Sequence, residues 1–177
     1  GAALETLEGA IFETALGWVG VAFSQAGLRY VTFPGRSRAE TSHTLEDLGV
    51  FGPADADETA RVQALVEAFA EAKPADFSTL QCDFRGYPAF WVAVWQALRQ
   101  VKWGETVTYG QAAALAGKPR AARAAGAAVA HNPLSFVIPC HRVLASNGLG
   151  GYGGEERYKE MLLRREGSWP PAEAEQR

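Results

Sequence analysis

The sequence predicts an α/β (α+β) protein in which a small N-terminal α/β domain with an antiparallel sheet precedes a mostly helical C-terminal domain. Short β-prone runs between glycine turns dominate the start of the chain, whereas apolar residues recur at helical spacing after Pro88. With 177 residues, 47% of them hydrophobic, the chain is long enough for two small domains that each bury a core. We place these domains at residues 1–83 and 84–177, connected within the segment from Lys73 to Pro88.

The N-terminal half begins with a predicted meander of three antiparallel strands. The three runs are residues 10–14, 18–24 and 28–33. Ser37 and Glu40 have the spacing of a capping box, which predicts a helix that runs to about Leu48. Helical spacing predicts a second helix over residues 57–72, and alternation around Cys82 predicts an extended segment with that thiol on an apolar face. Nothing in this half indicates chemistry, so we expect a scaffold.

The C-terminal half contains a succession of predicted helices. An amphipathic helix with an aromatic stripe, which we interpret as core packing, covers residues 90–98, and a short helix follows over residues 111–116. Gly117 provides a turn, and Pro119 suits the first position of the next helix, which runs to about Ala130. Two helices joined by a tight glycine turn are typical of a helix-turn-helix, here in a winged-helix-like domain.

The last predicted helix covers residues 155–166. We expect Tyr158, Met161 and Leu162 to point inward, and Arg157, Lys159, Arg164 and Arg165 to point outward. The loop before it, residues 145–154, has five glycines in ten residues. We interpret this loop as a close backbone wall around a ligand rather than as a linker.

The helix after Pro119 is nearly all alanine and glycine, with Arg120 and Arg123 as its long side chains. Gly126 costs roughly 1 kcal/mol relative to Ala in a helix interior, so helix propensity does not explain it. A helix without bulk can lie very close to another surface. If that surface is DNA, no side chain is placed to read base edges, and binding would be largely independent of sequence.

The main candidate for chemistry is Cys140, which follows Pro139 and precedes His141. The apolar run at residues 136–138 predicts a buried strand that ends at Pro139 and holds the thiol at the edge of the core. An adjacent imidazole, or the Glu166 carboxylate acting through it, can help to remove the thiol proton. The alternative is an inert buried cysteine, which is how most free cysteines behave.

Charge is distributed unevenly along the chain, although the net charge of −3 alone argues against nucleic acid as a partner. Residues 1–83 hold 5 Lys/Arg and 13 Asp/Glu, a net of −8, whereas residues 84–177 hold 12 and 7, a net of +5. The basic half also contains Cys140. This coincidence favours a face directed toward phosphate groups.

The motif around Cys140 resembles the active-site signature of the O6-alkylguanine-DNA alkyltransferases, also called methylated-DNA–protein-cysteine methyltransferases. It reads Pro139-Cys140-His141-Arg142-Val143, with Asn132-Pro133 before it and Gly151-Tyr152 after it. The resemblance runs from about Phe90 to Gly167, whereas residues 1 to about 83 match only in size and general pattern. The chain departs from the family pattern at Tyr87 and Trp91, where the family has Thr and Gln, and at Gly153, where it often has Ser.

The resemblance implies a role for each residue of the site. Cys140 would attack the alkyl carbon on O6 of guanine, His141 would take the thiol proton through a water, and Glu166 would orient the imidazole. Asn132 would brace the active-site turn, and Tyr109 would donate a proton to N3 of the leaving guanine. The implied substrate pocket comprises Tyr109, Pro139, Val143, Ser146, Tyr152 and Gly153. In it, carbonyls of Cys140 and Val143 would accept from the exocyclic amine, and N–H groups near Tyr152 would bind O6.

The same resemblance implies that the alanine-rich helix enters the minor groove and that Arg123 fills the gap left by an extruded nucleotide. The implied DNA-binding residues are Arg120, Ala121, Ala122, Arg123, Ala124, Gly126 and Ala127. The target atom is inaccessible inside a duplex, so the base must be flipped out at a cost of a few kcal/mol.

The expected function is therefore single-use DNA repair of O6-alkylguanine in double-stranded DNA, with O4-alkylthymine as a further substrate left open. The alkyl group would stay on Cys140 as a thioether, without a cofactor. Three alternatives stand beside it: a noncatalytic alkyltransferase-like lesion-binding protein, which would lack the cysteine, a cysteine hydrolase, and a helix-turn-helix regulator. A regulator would need polar side chains on its recognition helix.

Composition and spacing exclude several other classes. The two cysteines and three histidines show no zinc spacing, so we expect no metal. The sequence contains no apolar run of membrane-spanning length and no recognisable secretory signal, which predicts a cytoplasmic protein. We expect a monomer.

Overall fold

The computed structural model describes residues 5–171, and the chain divides into two compact units. The first unit runs to Arg85 and also contains Pro133–Val137. The second contains Gly86–Asn132 and the chain from Ile138 onward. The mixed α/β class predicted from the sequence is confirmed.

A four-stranded sheet, in the order β3-β2-β1-β4, forms the first unit's framework. Its strands are β1 (Leu7–Thr14), β2 (Gly17–Ser24), β3 (Gly27–Val31) and β4 (Val50–Pro53). The predicted antiparallel meander is present, with Phe12 of β1 opposite Val19 of β2 and Ala22 of β2 opposite Tyr30 of β3. Strand β4, which the sequence does not predict, pairs parallel to β1 at the edge of the sheet.

Two helices pack on this sheet: α1 (Arg38–Asp47) and α2 (Ala56–Ala70). The predicted start of α1 is confirmed, since the Ser37 hydroxyl accepts a hydrogen bond from the Glu40 N–H at 3.1 Å. Gly20 explains how closely α1 approaches the sheet. A Cβ atom at Gly20 would lie 2.9 Å from the Leu45 side chain, so this position leaves no room for a larger residue.

The residues just before Pro139 do not form the predicted strand. Val31 donates its N–H to the Pro133 carbonyl at 3.0 Å and accepts from the Ser135 N–H at 3.1 Å, so the segment lies beside β3. The chain then turns at Phe136, whose φ is 72°. The Phe136 ring stacks on Phe69 of α2, with centroids 4.7 Å apart. The apolar run alone predicts extended chain here. The structure has a turn instead, and the turn coincides with this tertiary contact within the first unit.

The described part of the second unit has four helices and a pair of two-residue strands. The helices are α3 (Ala89–Leu98), α4 (Tyr109–Leu115), α5 (Ala122–Ala130) and α6 (Glu156–Arg165), and the parallel strands are β5 (Val107–Thr108) and β6 (Val143–Leu144). Helix α5 packs on α3 and α4. Trp95 of α3 is fully buried and donates its indole N–H to the Ala128 carbonyl at 2.8 Å. At Trp95, therefore, the aromatic stripe is core, as predicted.

Helix α5 starts later than predicted. Pro119 is not its first residue but lies in the turn after α4, where the Ala121 N–H donates to the Lys118 carbonyl at 2.9 Å. The helix begins at Ala122, with Ala121 as its N-cap. Gly117 provides the predicted turn, with φ of 94°. None of the helices in residues 5–171 combines the length and apolar character that crossing a membrane requires.

Candidate active site

Cys140 is the first residue of a single 3-10 turn, Cys140–Arg142, directly after Pro139. The thiol lies below the surface rather than at the edge of the core, because Cys140 is only 4% exposed. Asn132, just after α5, braces this turn. Its amide nitrogen donates to the Ile138 carbonyl at 2.9 Å and to Cys140 Sγ at 3.1 Å. The side chain predicted to brace the turn therefore contacts the sulfur itself.

The surroundings of Cys140 favour the protonated thiol. Burial raises the pKa of Cys140 to about 12, although the hydrogen bond from Asn132 and the charge of Lys159 act in the opposite direction. The sulfur therefore carries its proton at neutral pH. Because the thiolate is the nucleophile, attack requires a group that takes this proton.

His141 is fully buried, and its Nε2 donates to Glu166 Oε2 at 2.8 Å. Arg142 holds the same carboxylate, from Nε to Oε1 at 2.8 Å and from Nη2 to Oε2 at 3.1 Å. Its Nη1 also donates to the Val101 carbonyl at 2.7 Å. Glu166 thus connects the imidazole to a guanidinium that is itself anchored to the backbone.

The protonation states follow from this arrangement. Burial lowers the pKa of His141, although the bond to Glu166 raises it. Burial raises the pKa of Glu166, but the hydrogen bonds from His141 and Arg142 outweigh it and leave that pKa below its usual value. The result is a neutral imidazole whose orientation is set by an ionised carboxylate. Such an imidazole can accept a proton.

Lys159 contradicts the predicted outer face of α6, because its side chain is fully buried. Its Nζ donates to the Val143 carbonyl at 2.6 Å and to the Gly151 carbonyl at 3.2 Å. Helical spacing gives the reason. Lys159 lies three and seven residues before the buried Leu162 and Glu166, and these spacings place all three on one face. The burial of Lys159 was not predicted, although its spacing from Glu166 was a usable signal in the sequence.

Tyr109 and Tyr152, both half-buried, are electrostatically coupled to Cys140. Burial raises the pKa of Tyr109, and a Cys140 thiolate would raise it further. Burial and a Cys140 thiolate are also the two largest causes that raise the pKa of Tyr152. A Cβ at Gly126 of α5 would lie 3.9 Å from the Tyr109 ring, and a Cβ at Gly150 would lie 3.4 Å from it. The Tyr109 ring therefore contacts both α5 and the glycine-rich loop.

The remaining predicted pocket residues differ in exposure. Pro139 and Val143 are buried, whereas Gly153 is exposed and Ser146 lies in an exposed turn closed by a bridge between residues 145 and 148. The loop N–H at Tyr152 lies 3.5 Å from a carboxylate oxygen of Glu156. This N–H is therefore only weakly engaged.

The exposed side of α5 carries Arg123 and Ala124, and Arg120 is exposed in the turn just before the helix. The other predicted DNA-binding residues are half-buried: Ala121, Ala122, Gly126 and Ala127. On the opposite side, Ala125 and Ala128 are fully buried. Because α5 carries small side chains on both faces, it can pack closely within the second unit. Its exposed face also has few side chains that protrude far from the helix.

Known proteins that are similar to this chain share one family description. Residues 89–168 match the family described as 6-O-methylguanine DNA methyltransferase, DNA binding domain. The methylated-DNA–protein-cysteine methyltransferase of Methanosarcina acetivorans is 36% identical over 162 residues, which cover 90% of this chain and 97% of that protein. The protein of the same name from Cricetulus griseus is 37% identical over 171 residues, covering 89% and 80%.

Solved structures show the same relationship. Mycobacterium tuberculosis OGT in complex with DNA matches with a TM-score of 0.69 and 31% identity, over 93% of this chain and 95% of that one. The resemblance seen in the sequence is therefore confirmed across both halves of the chain, including the half whose sequence matched only in general pattern. At 36% and 37% identity over most of both sequences, the chain belongs to the methylated-DNA–protein-cysteine methyltransferase family of DNA repair enzymes.

Proposed function

We propose that the protein transfers the alkyl group from O6 of guanine in double-stranded DNA to Cys140, in one irreversible step. The observation that carries this proposal is the set of contacts at the thiol. The Asn132 amide contacts the Cys140 sulfur at 3.1 Å. His141, which directly follows Cys140, is buried, and its imidazole is hydrogen-bonded to Glu166 at 2.8 Å. Nucleophile, base and orienting carboxylate are the parts that such a transfer needs.

The reaction is a displacement at carbon. As the bond between Cys140 Sγ and the alkyl carbon forms, the bond from that carbon to O6 breaks, and its electron pair leaves with guanine. The thiol proton passes through a water to His141 and enters the ring at Nδ1, because Nε2 is engaged with Glu166. Glu166 stays ionised throughout because Arg142 holds it.

The leaving guanine needs a proton to depart as a neutral base. We assign this proton to Tyr109, whose raised pKa keeps the phenol protonated at neutral pH. The phenol donates to ring N3 and later recovers a proton from solvent, while His141 releases the thiol proton to solvent. In total, the thiol loses one proton and guanine gains one. The N–H groups at Tyr152 and Gly153 would bind O6, and the carbonyls of Cys140 and Val143 would accept from the exocyclic amine. Pro139 and Ser146 complete the pocket.

The product is a thioether, which water does not convert back to a thiol, so each molecule should act once and need no cofactor. Incubation with excess duplex containing O6-methylguanine should add the mass of one methyl group per protein and no more, as measured by intact mass. Methyl loss from the DNA by unmodified protein over many cycles would instead identify a hydrolase. Bound duplex with no change in protein mass would identify a noncatalytic lesion-binding protein.

We also propose that the target base is flipped out of the duplex around α5. The exposed arginines, Arg120 and Arg123, would neutralise phosphate groups or occupy the gap that the extruded base leaves in the duplex. The small residues Ala124, Gly126 and Ala127 would permit a close approach to the minor groove. Extrusion costs a few kcal/mol. Arg123, the long side chain on the exposed side of α5, would offset that cost by occupying the vacated space.

The Arg123→Ala variant tests this role. Its repair rate on duplex DNA should fall roughly 10- to 100-fold, because the cost of flipping is no longer offset. Its rate on the free base O6-benzylguanine should stay within about twofold, because no flipping is required there. The matched control is Arg157→Ala, which removes an exposed arginine from α6. Equal losses on duplex and free base would show that Arg123 acts elsewhere than in flipping.

O4-alkylthymine would enter the same displacement with a weaker fit. It offers an alkyl group on an exocyclic oxygen, but it lacks the exocyclic amine of guanine. The Val143 carbonyl would then have no donor from the base. We therefore propose that it is a slower substrate than O6-alkylguanine.

A further inference from the structure

Lys159 is a buried cation to which the mechanism above assigns no task. Its side chain is fully buried, and within residues 5–171 no salt bridge joins it to a carboxylate. Placing a charge in such a site costs several kcal/mol, and a Met of similar volume would avoid this cost. A Met would also leave two backbone carbonyls without the donor that Nζ provides, so these two contacts are what the lysine supplies at this position.

The two contacts of Lys159 belong to two segments that we assign to the proposed guanine pocket. The Val143 carbonyl, 2.6 Å from Nζ, directly follows the turn that begins with Cys140. The Gly151 carbonyl, 3.2 Å from Nζ, belongs to the glycine-rich loop. One ammonium group thus fixes the distance between the nucleophile's turn and the loop wall.

The contact with Gly151 also reaches the group proposed to bind O6. The carbonyl of Gly151 and the N–H of Tyr152 belong to one planar trans peptide unit, in which they point in opposite directions. A cation at the carbonyl end holds the plane of this unit and polarises it, which makes the N–H a stronger donor. Negative charge develops on O6 as its bond to carbon breaks, and such donors act most strongly on charge that develops in the transition state.

The charge of Lys159 also acts on the nucleophile. Its field lowers the pKa of the buried Cys140 thiol, against the effect of burial, and the thiolate raises the pKa of Lys159 in return. Lys159 therefore stabilises the Cys140 thiolate. Through the Gly151–Tyr152 peptide unit, it also stabilises the negative charge that develops on O6.

We infer that Lys159 is a positioning residue for alkyl transfer: it fixes the carbonyls of Val143 and Gly151 and supplies positive charge to the Cys140 thiolate. The part that concerns O6 rests on the proposed function. The part that concerns the thiolate does not, since it can be measured without DNA.

The test is the rate of Cys140 alkylation by iodoacetamide between pH 6.5 and 9.5, in a Cys82→Ala background so that a single cysteine reacts. At pH 7 the Lys159→Met variant should react roughly tenfold more slowly, the effect of about one pKa unit on the thiolate fraction. Arg157→Met, an exposed position on the same helix, should react like the parent.

The pH dependence separates a charge effect from a packing effect. Burial lowers the pKa of Lys159 to about 8, so Lys159 is charged below that pH and neutral above it. The difference between parent and Lys159→Met should therefore be largest below pH 8 and shrink above it. Equal rates at pH 7, or a difference that stays constant across the whole range, would overturn the inference.

Two further measurements keep the inference testable. If Lys159→Met does not fold, the parent profile decides: a reduced slope of log rate against pH near pH 8 supports the charge effect, and a straight line of slope one contradicts it. In folded Lys159→Met, methyl transfer from duplex O6-methylguanine should slow by roughly tenfold or more. Unchanged transfer would refute a role in the reaction, whereas absence of transfer in the parent would refute the proposed function instead.

Discussion

The Cys140→Ala variant is expected to take up no methyl group from duplex O6-methylguanine, a loss of at least roughly 10³-fold in rate, while it still binds that duplex. The reason is that the sulfur forms the bond to the transferred carbon in the proposed reaction. The exposed side of α5, which we propose as the DNA contact, is unchanged by the substitution. Loss of uptake with retained binding therefore separates chemistry from recognition.

The matched control is Cys82→Ala, because Cys82 is the second cysteine of the chain. Its sulfur lies 3.7 Å from the Leu80 carbonyl in the first unit, whereas every side chain that we assign to chemistry belongs to the second unit. Intact mass should show one methyl on Cys82→Ala and none on Cys140→Ala, with duplex affinity followed by fluorescence anisotropy. Stoichiometric uptake by Cys140→Ala would disprove the assignment of the nucleophile.

The Glu166→Gln variant is expected to lose roughly 3–5 kcal/mol in the free energy of unfolding, because it removes one partner of a buried ion pair. The Arg142 guanidinium would remain buried without its carboxylate, and the amide would present a donor to His141 or to Arg142. The imidazole would also lose the anion that sets its orientation. Alkyl transfer should therefore slow even in molecules that stay folded.

Urea unfolding of Glu166→Gln and Glu160→Gln measures this effect against a surface pair. Glu160 contacts Arg164 on the same helix at 3.4 Å, and both side chains are largely exposed, so its loss should cost less than about 1 kcal/mol. The folded-state pKa of Glu166 lies below its usual value of 4.5, so its contribution is present above pH 4.5 and is lost as pH falls further. Similar unfolding free energies for the two variants at pH 7 would contradict a structural role for the buried pair.

The parts of the fold that sequence could predict are those set by neighbouring residues. The N-cap at Ser37 and the glycine turns of the first three strands act within a few residues, and both were predicted. Strand β4 was not predicted, because it has four residues and pairs with a strand more than thirty residues earlier. The turn at Phe136 depends on packing against Phe69, which no local pattern contains.

The residues of the site likewise separate into those that the sequence predicts and those that depend on tertiary contacts. Cys140, His141, Asn132 and Glu166 follow from the family resemblance, and hydrogen bonds in the structure join Asn132 to Cys140 and His141 to Glu166. Lys159 does not follow, because a lysine among arginines on a helix is expected to face solvent. Its burial is decided by two carbonyls, one from the residue after the 3-10 turn and one from the glycine-rich loop. The spacing of Lys159 from Glu166 indicates the buried face of α6, but the two carbonyl partners become visible only when distant segments are placed.

The first unit includes Pro133–Val137, so it contains the segment of chain that leads to Cys140. Cys140, the proposed nucleophile, is three residues further along the chain, so the backbone that leads into it is anchored by Val31 and Phe69. A shortened protein that begins near residue 86 would keep every side chain we assign to chemistry and yet lose the support of that lead-in. Inherited or engineered changes in the N-terminal half could thus alter repair without touching a single group that meets DNA.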